Sequence, residues 1–217
     1  MELWIATANL ENIKKAYRYP IKGVLTNPSI ICKENRSWKE TVKKMDSFGN
    51  LPIGLQVVST QEKGILKEIR EYKKLVNNRV LHLKIPFSVD AINLAPFLKR
   101  MNYTVNITAV SSFSQAILSL ENNIDYLSVY VGRITDNGED GLETLSKIKE
   151  YSVKANKDTK ILAASIRNIE YLEKAAIIGA DAVAIPLSLL EKAYEHNVTT
   201  ESIKKFQDDW EKLTGGN

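Results

Sequence analysis

Eight short apolar runs, each followed by a stretch with helical periodicity, constrain this chain more than any other feature. The runs fall at residues 2–6, 22–27, 52–58, 80–85, 103–108, 126–131, 159–165 and 181–186. Runs this short, rich in Val, Ile and Leu, read as strands buried on both faces, as in a parallel sheet. The segments between them repeat at helical spacing. Over 61–78, Ile65, Ile69, Tyr72 and Val76 share one stripe, and Ser59 with Glu62 predicts a capping box at the helix start. Segments 89–101, 111–122, 142–153 and 169–179 follow the same rule, with Asn168 predicted to cap the last helix and Gly179 to stop it.

Eight such alternations in 217 residues predict an α/β chain folded as a single (β/α)8 TIM barrel. An open doubly wound sheet is the structural alternative. It is disfavoured because no strand is followed by the glycine-rich turn of a dinucleotide site or by a GxxxxGK[ST] loop. The barrel is expected to occupy residues 1–198 and a C-terminal helix and tail 199–217. In that helix Ile203, Phe206, Trp210 and Leu213 line one side, so it is expected to cover either its own barrel or a neighbouring subunit.

Composition excludes several function classes. The formal net charge of +4 is spread over helix faces, and no Lys/Arg block suggests a nucleic-acid partner. The single cysteine, Cys32, rules out an intrachain disulfide and is expected to be a small buried hydrophobe. With two histidines besides, a Cys/His zinc site is not expected. No apolar run has the length of a membrane span, and the first residues lack the pattern of a signal peptide. The expectation is a cytoplasmic protein with no membrane partner.

A parallel barrel does its chemistry at the C-terminal ends of its strands. Those positions carry Ala6, Asn27, Gln56, Lys84, Thr108, Tyr130, Arg133, Ser165 and Arg167. Lys84 ends the apolar run Val80-Leu81-His82-Leu83-Lys84-Ile85. Burial and neighbouring groups lower an amine's pKa and free it to attack a carbonyl; a lysine with its stem packed and its head in water is the plainer alternative. The set points to carbonyl chemistry on a phosphorylated sugar. Lys84 would form a carbinolamine and then an iminium, with Asn27 steadying substrate hydroxyls. Gln56, Thr108 and Tyr130 would hold a proton-shuttling water, and Arg133, Ser165 and Arg167 would clamp a phosphate. Taken singly, each residue has an ordinary reading. Asn27 is a candidate cap for a helix opening at Pro28, Gln56 and Thr108 satisfied polar strand ends, Tyr130 core packing, and the two arginines solvated charges. His82, facing inward one layer below Lys84, either depresses the lysine pKa or packs as a hydrogen-bonded core histidine.

The chain resembles the small transaldolase and fructose-6-phosphate aldolase family. The resemblance rests on Gly23-Val24-Leu25-Thr26-Asn27-Pro28-Ser29-Ile30-Ile31, Leu83-Lys84-Ile85-Pro86, Tyr130-Val131-Gly132-Arg133, Gly138-Glu139-Asp140-Gly141, Ala163-Ala164-Ser165-Ile166-Arg167-Asn168 and Phe206-Gln207-Asp208-Asp209-Trp210. It spans nearly the whole chain. It implies a Schiff-base lysine at Lys84 carrying a dihydroxyacetone unit, no metal or organic cofactor, and a homo-oligomer. Short members of this family form decamers of paired pentamers in which the C-terminal helix crosses onto a neighbour. Within the family, Gln56 and Tyr130 resemble the aldolase branch, whereas Gly132 and Arg167 resemble the transaldolase phosphate clamp. The departure is Ala6. The family places an aspartate here to handle the proton on the substrate's C4 oxygen, and Leu3-Trp4-Ile5-Ala6-Thr7-Ala8 keeps the frame without the acid. The implied alternative is a barrel that binds phosphosugars without turnover.

Overall fold

The computed structural model describes residues 1–49, 51–76 and 81–215. Its elements run in the order β1 (Glu2–Ala6), α1 (Leu10–Ala16), β2 (Gly23–Leu25), α2 (Pro28–Ile31), α3 (Trp38–Asp46), β3 (Ile53–Gln56), α4 (Glu62–Leu75), β4 (His82–Pro86) and α5 (Val89–Arg100). They continue with β5 (Thr104–Val110), α6 (Phe113–Leu120), β6 (Tyr126–Tyr130), α7 (Val131–Asp136), α8 (Gly141–Lys154), β7 (Lys160–Ala164), α9 (Ile169–Ile178), β8 (Ala182–Ile185), α10 (Leu187–Ala193) and α11 (Asn197–Thr214). Each strand pairs in parallel with the next, and β8 pairs with β1, so the sheet closes into the predicted eight-stranded barrel.

Strand alternation divides the core into two shells. Outward residues such as Ile5, Leu55, Leu83, Ile107, Leu127, Ile161 and Val183 pack under the helices in one continuous cluster. The inner shell comprises Trp4, Leu25, Tyr126, Tyr130, Leu162, Ala164, Ala182 and Ala184. Rings from three strands plug the barrel. The centroid of His82 lies 4.8 Å from those of both Trp4 and Tyr126. This interior is a packed core, and open space begins only above it, at the mouth.

Local signals set most boundaries. Asn168 caps α9 by accepting the Tyr171 N–H at 2.8 Å, and Gly179 ends it in the left-handed region (φ 86°), where a Cβ would be strained. The predicted capping box at Ser59 and Glu62 does not form. Gln61 takes the cap position of α4 without a side-chain bond. The Ser59 hydroxyl accepts the Gln61 N–H instead, while Asp90 of α5 accepts the Glu62 N–H at 2.8 Å. A tertiary carboxylate thus replaces the local cap. The predicted end of this helix at Asn78 and the start of the fourth run at Val80 lie outside the described residues. No described helix is long and apolar enough to cross a membrane.

Candidate active site

Lys84 sits inside the barrel at the upper end of β4, with only 7% of its surface exposed. Its amine donates to the backbone carbonyl of Thr26 at 3.0 Å. Desolvation first, then the positive field of Arg133, pull its pKa down to about 8. Both effects disfavour the ammonium, so about a tenth of the amine is neutral at pH 7.

The amine opens into a cavity of about 160 Å³ at the barrel mouth. Its polar lining residues are Asn27, Lys84, Tyr130, Arg133 and Ser165, and its apolar ones Ala6, Leu25, Ile30, Ala164, Ile166, Ala184 and Pro186. Six of the sequence-predicted site residues therefore converge on one space: Ala6, Asn27, Lys84, Tyr130, Arg133 and Ser165. No carboxylate is among the lining residues. Two larger hollows, of about 370 and 360 Å³, open between α2, α3 and α4 and between α4 and α5; neither is lined by Lys84, and Gln56 lines the first of them.

The remaining predicted residues flank the cavity. Gln56 pairs in register with Lys84, so it shares the inward face, and its side-chain oxygen is buried without a hydrogen-bond donor. Thr108 is fully buried and donates a long hydrogen bond, 3.4 Å, to the Tyr130 hydroxyl. A register shift between Ile107 and Val110, with Ala109 at φ 63°, bulges β5 immediately after Thr108, a device that re-aims strand ends next to sites. Arg167 stands outside the lining. It is half exposed and forks both terminal nitrogens onto Asp136, Nη1 to Oδ1 at 2.6 Å and Nη2 to Oδ2.

Asn27 carries two roles at once. Its Oδ1 accepts the Ile30 N–H at 2.8 Å and caps α2, with Pro28 at the first helical position, and the residue also lines the cavity. Arg133 lies over the Tyr130 ring, 4.6 Å from ring centroid to guanidinium carbon, a cation–π contact that fixes the guanidinium at the rim. α7 starts at once after β6, so the Val131-Gly132-Arg133 segment is helical rather than the end of a strand. Gly132 is required there: a Cβ would come within 2.2 Å of the Ser165 carbonyl oxygen and 2.9 Å of its hydroxyl.

His82 is a core histidine. Asn106 stands 3.0 Å from its Nε2 and accepts the Ser128 hydroxyl at 2.8 Å, so the Asn106 amide nitrogen donates to the ring. Burial, then the charge of Lys84, push its pKa down to about 3, and it is not among the groups that move the lysine. Cys32 is exposed, contrary to the expectation of burial, because α2 is a single turn that leaves its C-cap at the surface. Sequence reasoning missed the Thr26 carbonyl, the apolar wall of Leu25, Ala164 and Ala184, and Asp136. Cross-strand register places the wall, with Leu25 beside Ala6, Ala184 beside Trp4 and Ala164 beside Tyr130; Asp136 lies beyond the strand run that ends at Val131, and its contact with Arg167 carried no sequence signal.

The family model described as Transaldolase/Fructose-6-phosphate aldolase matches residues 3–216. The chain belongs to that family. It is 36% identical over 215 residues to a probable transaldolase of Caldicellulosiruptor saccharolyticus, covering 98% of each chain. It is 37% identical over 214 residues to one of Carboxydothermus hydrogenoformans, covering 98% of this chain and 99% of the relative. Among solved structures, a lactate oxidase of Pediococcus acidilactici superposes with TM-score 0.62 at 14% identity, over 85% of this chain and 62% of that one. A thiamine phosphate pyrophosphorylase of Pyrococcus furiosus does so with TM-score 0.58 at 14% identity, over 85% of each. The last two likenesses concern the barrel alone.

Proposed function

We propose that this transaldolase-family chain is a class I aldolase or transaldolase in which Lys84 forms a Schiff base with the carbonyl of a sugar phosphate such as fructose 6-phosphate. The carrying observation is the buried amine, with its pKa lowered to about 8, facing a cavity at the barrel mouth that Arg133 and Ser165 also line. The neutral amine attacks the carbonyl carbon to give a carbinolamine, which loses water to become an iminium. A water held between the Gln56 side-chain oxygen, Thr108 and Tyr130 moves the protons of those two steps. The iminium then takes up the electron pair of the C3–C4 bond as the C4 hydroxyl gives its proton to a water molecule. An aldehyde leaves, and a dihydroxyacetone unit stays on Lys84 as an enamine. The lysine itself is the electron sink, so no metal or organic cofactor enters the scheme.

Ala6 sets the rate of the cleavage step. Its methyl group cannot accept the C4 proton, and loss of one general base costs about 10²–10⁴ in rate. Schiff-base formation does not need that group. The test is borohydride reduction with fructose 6-phosphate or dihydroxyacetone followed by peptide mass mapping. A substrate-dependent adduct on Lys84 is expected; an adduct elsewhere, or none, removes the mechanism. Release of free dihydroxyacetone then marks an aldolase, and formation of sedoheptulose 7-phosphate with erythrose 4-phosphate a transaldolase.

A second reading, a barrel that binds phosphosugars without turnover, is favoured by one observation: no carboxylate lines the cavity. It gives phosphate-ester binding that weakens in Arg133→Ala, with no covalent adduct.

The chain is also proposed to work as a homo-oligomer. α11 buries none of its residues, and Ile203, Phe206, Trp210 and Leu213 are each at least half exposed along it. A second copy covering that face removes the exposed apolar stripe. Light scattering on the full chain distinguishes the decamer that the resemblance implies from a monomer.

A further inference from the structure

Both ends of the Arg167 guanidinium are accounted for by neighbours, and they are chemically different. Its two terminal nitrogens are forked end-on by the carboxylate of Asp136. Its Nε lies on the other side, 3.2 Å from the point where a Gly132 Cβ would sit, and that same point is 2.9 Å from the Ser165 hydroxyl. The Nε edge and the Ser165 hydroxyl thus both lie close to Gly132, next to the cavity that Ser165 lines. Ser165 itself is held at φ 62°, a left-handed conformation that is unusual for serine and that the surrounding structure must impose.

Asp136 has no local reason to be where it is. It is the last residue of α7, the end of a helix at which a negative charge is disfavoured. It lies one turn beyond Arg133 on the same short helix, so Arg133 and Asp136 share a side. α7 therefore carries one rim guanidinium itself and reaches for the other with its carboxylate. A carboxylate beside an anion-binding arginine acts in one of two ways. If it takes the edge that the ligand needs, it competes; if it takes the opposite edge, it orients. Here it takes the terminal pair and leaves Nε, which lies beside Gly132 on the side of the Ser165 hydroxyl.

We infer that Asp136 is a positioning residue that holds Arg167 with its Nε edge presented to the phosphate of the substrate. The inference rests on the reading of Arg133, Ser165 and Arg167 as the phosphate rim, and deepens it. The phosphate is received by three donors from two adjacent strand ends: Arg133 and the Ser165 hydroxyl directly, and Arg167 through the edge that Asp136 leaves free. A guanidinium already fixed in this way loses less rotamer freedom when the anion binds.

The test compares wild type, Asp136→Ala and Asp136→Glu in the full-length chain. Calorimetric titration with inorganic phosphate reads the rim without any requirement for turnover. The expected result is about three- to five-fold weaker binding in Asp136→Ala, the scale of one exposed ion pair, with partial recovery in Asp136→Glu. Borohydride trapping supplies the second readout. The concentration of fructose 6-phosphate giving half-maximal adduct rises in Asp136→Ala by a factor at least three times larger than any change with unphosphorylated dihydroxyacetone. Tighter phosphate binding in Asp136→Ala makes the carboxylate a competitor and overturns the inference. Equal loss with both donors makes it a structural residue and also overturns it. Failure of the underlying reading looks different: the wild type then shows no phosphate binding or no adduct on Lys84.

Discussion

The Lys84 amine donates to the main-chain carbonyl of Thr26, 58 residues earlier, at 3.0 Å. Thr26 can present that carbonyl because its own amide and hydroxyl are both spent on the Gly54 carbonyl, at 2.9 and 3.1 Å. β2 is thereby locked to β3, and one lone pair is left pointing at the lysine. An uncharged acceptor holds the amine in place without stabilising the ammonium as a carboxylate would, which leaves desolvation to dominate its titration.

The pH dependence of adduct formation follows. Initial trapping rates with dihydroxyacetone rise about tenfold per pH unit below pH 8 and level off above it, as the amine with a pKa of about 8 loses its proton. Lys84→Met gives no adduct at any pH. The sign for stability is fixed by the same shift. The folded pKa lies below the unfolded value of 10.5, so the penalty of a buried ammonium is present in full below pH 8 and is relieved as pH rises towards 10.5. Lys84→Met is therefore more stable than wild type at neutral pH by urea titration, and the gap narrows in alkali. A gap that does not change with pH contradicts a desolvated amine.

Ala6→Asp restores a carboxylate to the cavity wall. If the rest of the machinery is intact, cleavage of fructose 6-phosphate, measured as release of glyceraldehyde 3-phosphate, rises by about 10² or more. The new anion also raises the Lys84 pKa, so the alkaline limb of the trapping profile moves to higher pH. A shifted profile without a gain in cleavage means that more than the missing acid limits carbon–carbon cleavage, and no adduct at any pH favours the binding-only barrel.

Gly132→Ala attacks the rim from beneath. The added methyl would lie 2.2 Å from the Ser165 carbonyl oxygen, which is main chain and cannot swing aside. Ser165 and the loop carrying Arg167 must move, at an overpacking cost of about 1–3 kcal/mol. Phosphate binding falls by more than in Arg133→Ala, because Gly132→Ala displaces two donors at once. Binding equal to wild type rules out Ser165 as a phosphate contact.

The barrel was legible because strand runs such as Val80–Ile85 and Tyr126–Val131 carry their own periodicity, and because register then places Gln56, Lys84 and Asn106 side by side. The candidate site was legible as far as residues sit at strand ends. Three features were not. The α4 cap is supplied by Asp90 from another helix, a contact that local spacing cannot encode. The helix at Val131–Asp136 begins where the strand run ends and is only six residues long, so the geometry that brings Asp136 to Arg167 had no sequence signal. Cys32 is apolar by type, but its exposure follows from the length of α2, and residue type does not determine that.

His82 supplies a probe of the barrel floor that does not depend on turnover. The Asn106 amide donates to its Nε2 at 3.0 Å, so the ring accepts there and carries its proton on Nδ1. The ring is enclosed by Trp4 and Tyr126, and protonation would place a cation in that aromatic layer beneath Lys84. Its folded pKa of about 3 lies below the ordinary 6.5. Between those values the unfolded chain binds a proton that the folded chain refuses, so stability falls as pH drops through this window, by up to about 1.4 kcal/mol per unit. His82→Gln keeps an acceptor for Asn106 and removes the titration. The expected outcome is a urea midpoint below that of wild type at pH 7, because aromatic packing is lost, with the two curves converging as pH falls towards 4.5. Curves that stay parallel would mean that the ring is already charged or open to water, and that the floor beneath the lysine is not the sealed layer that keeps its amine desolvated.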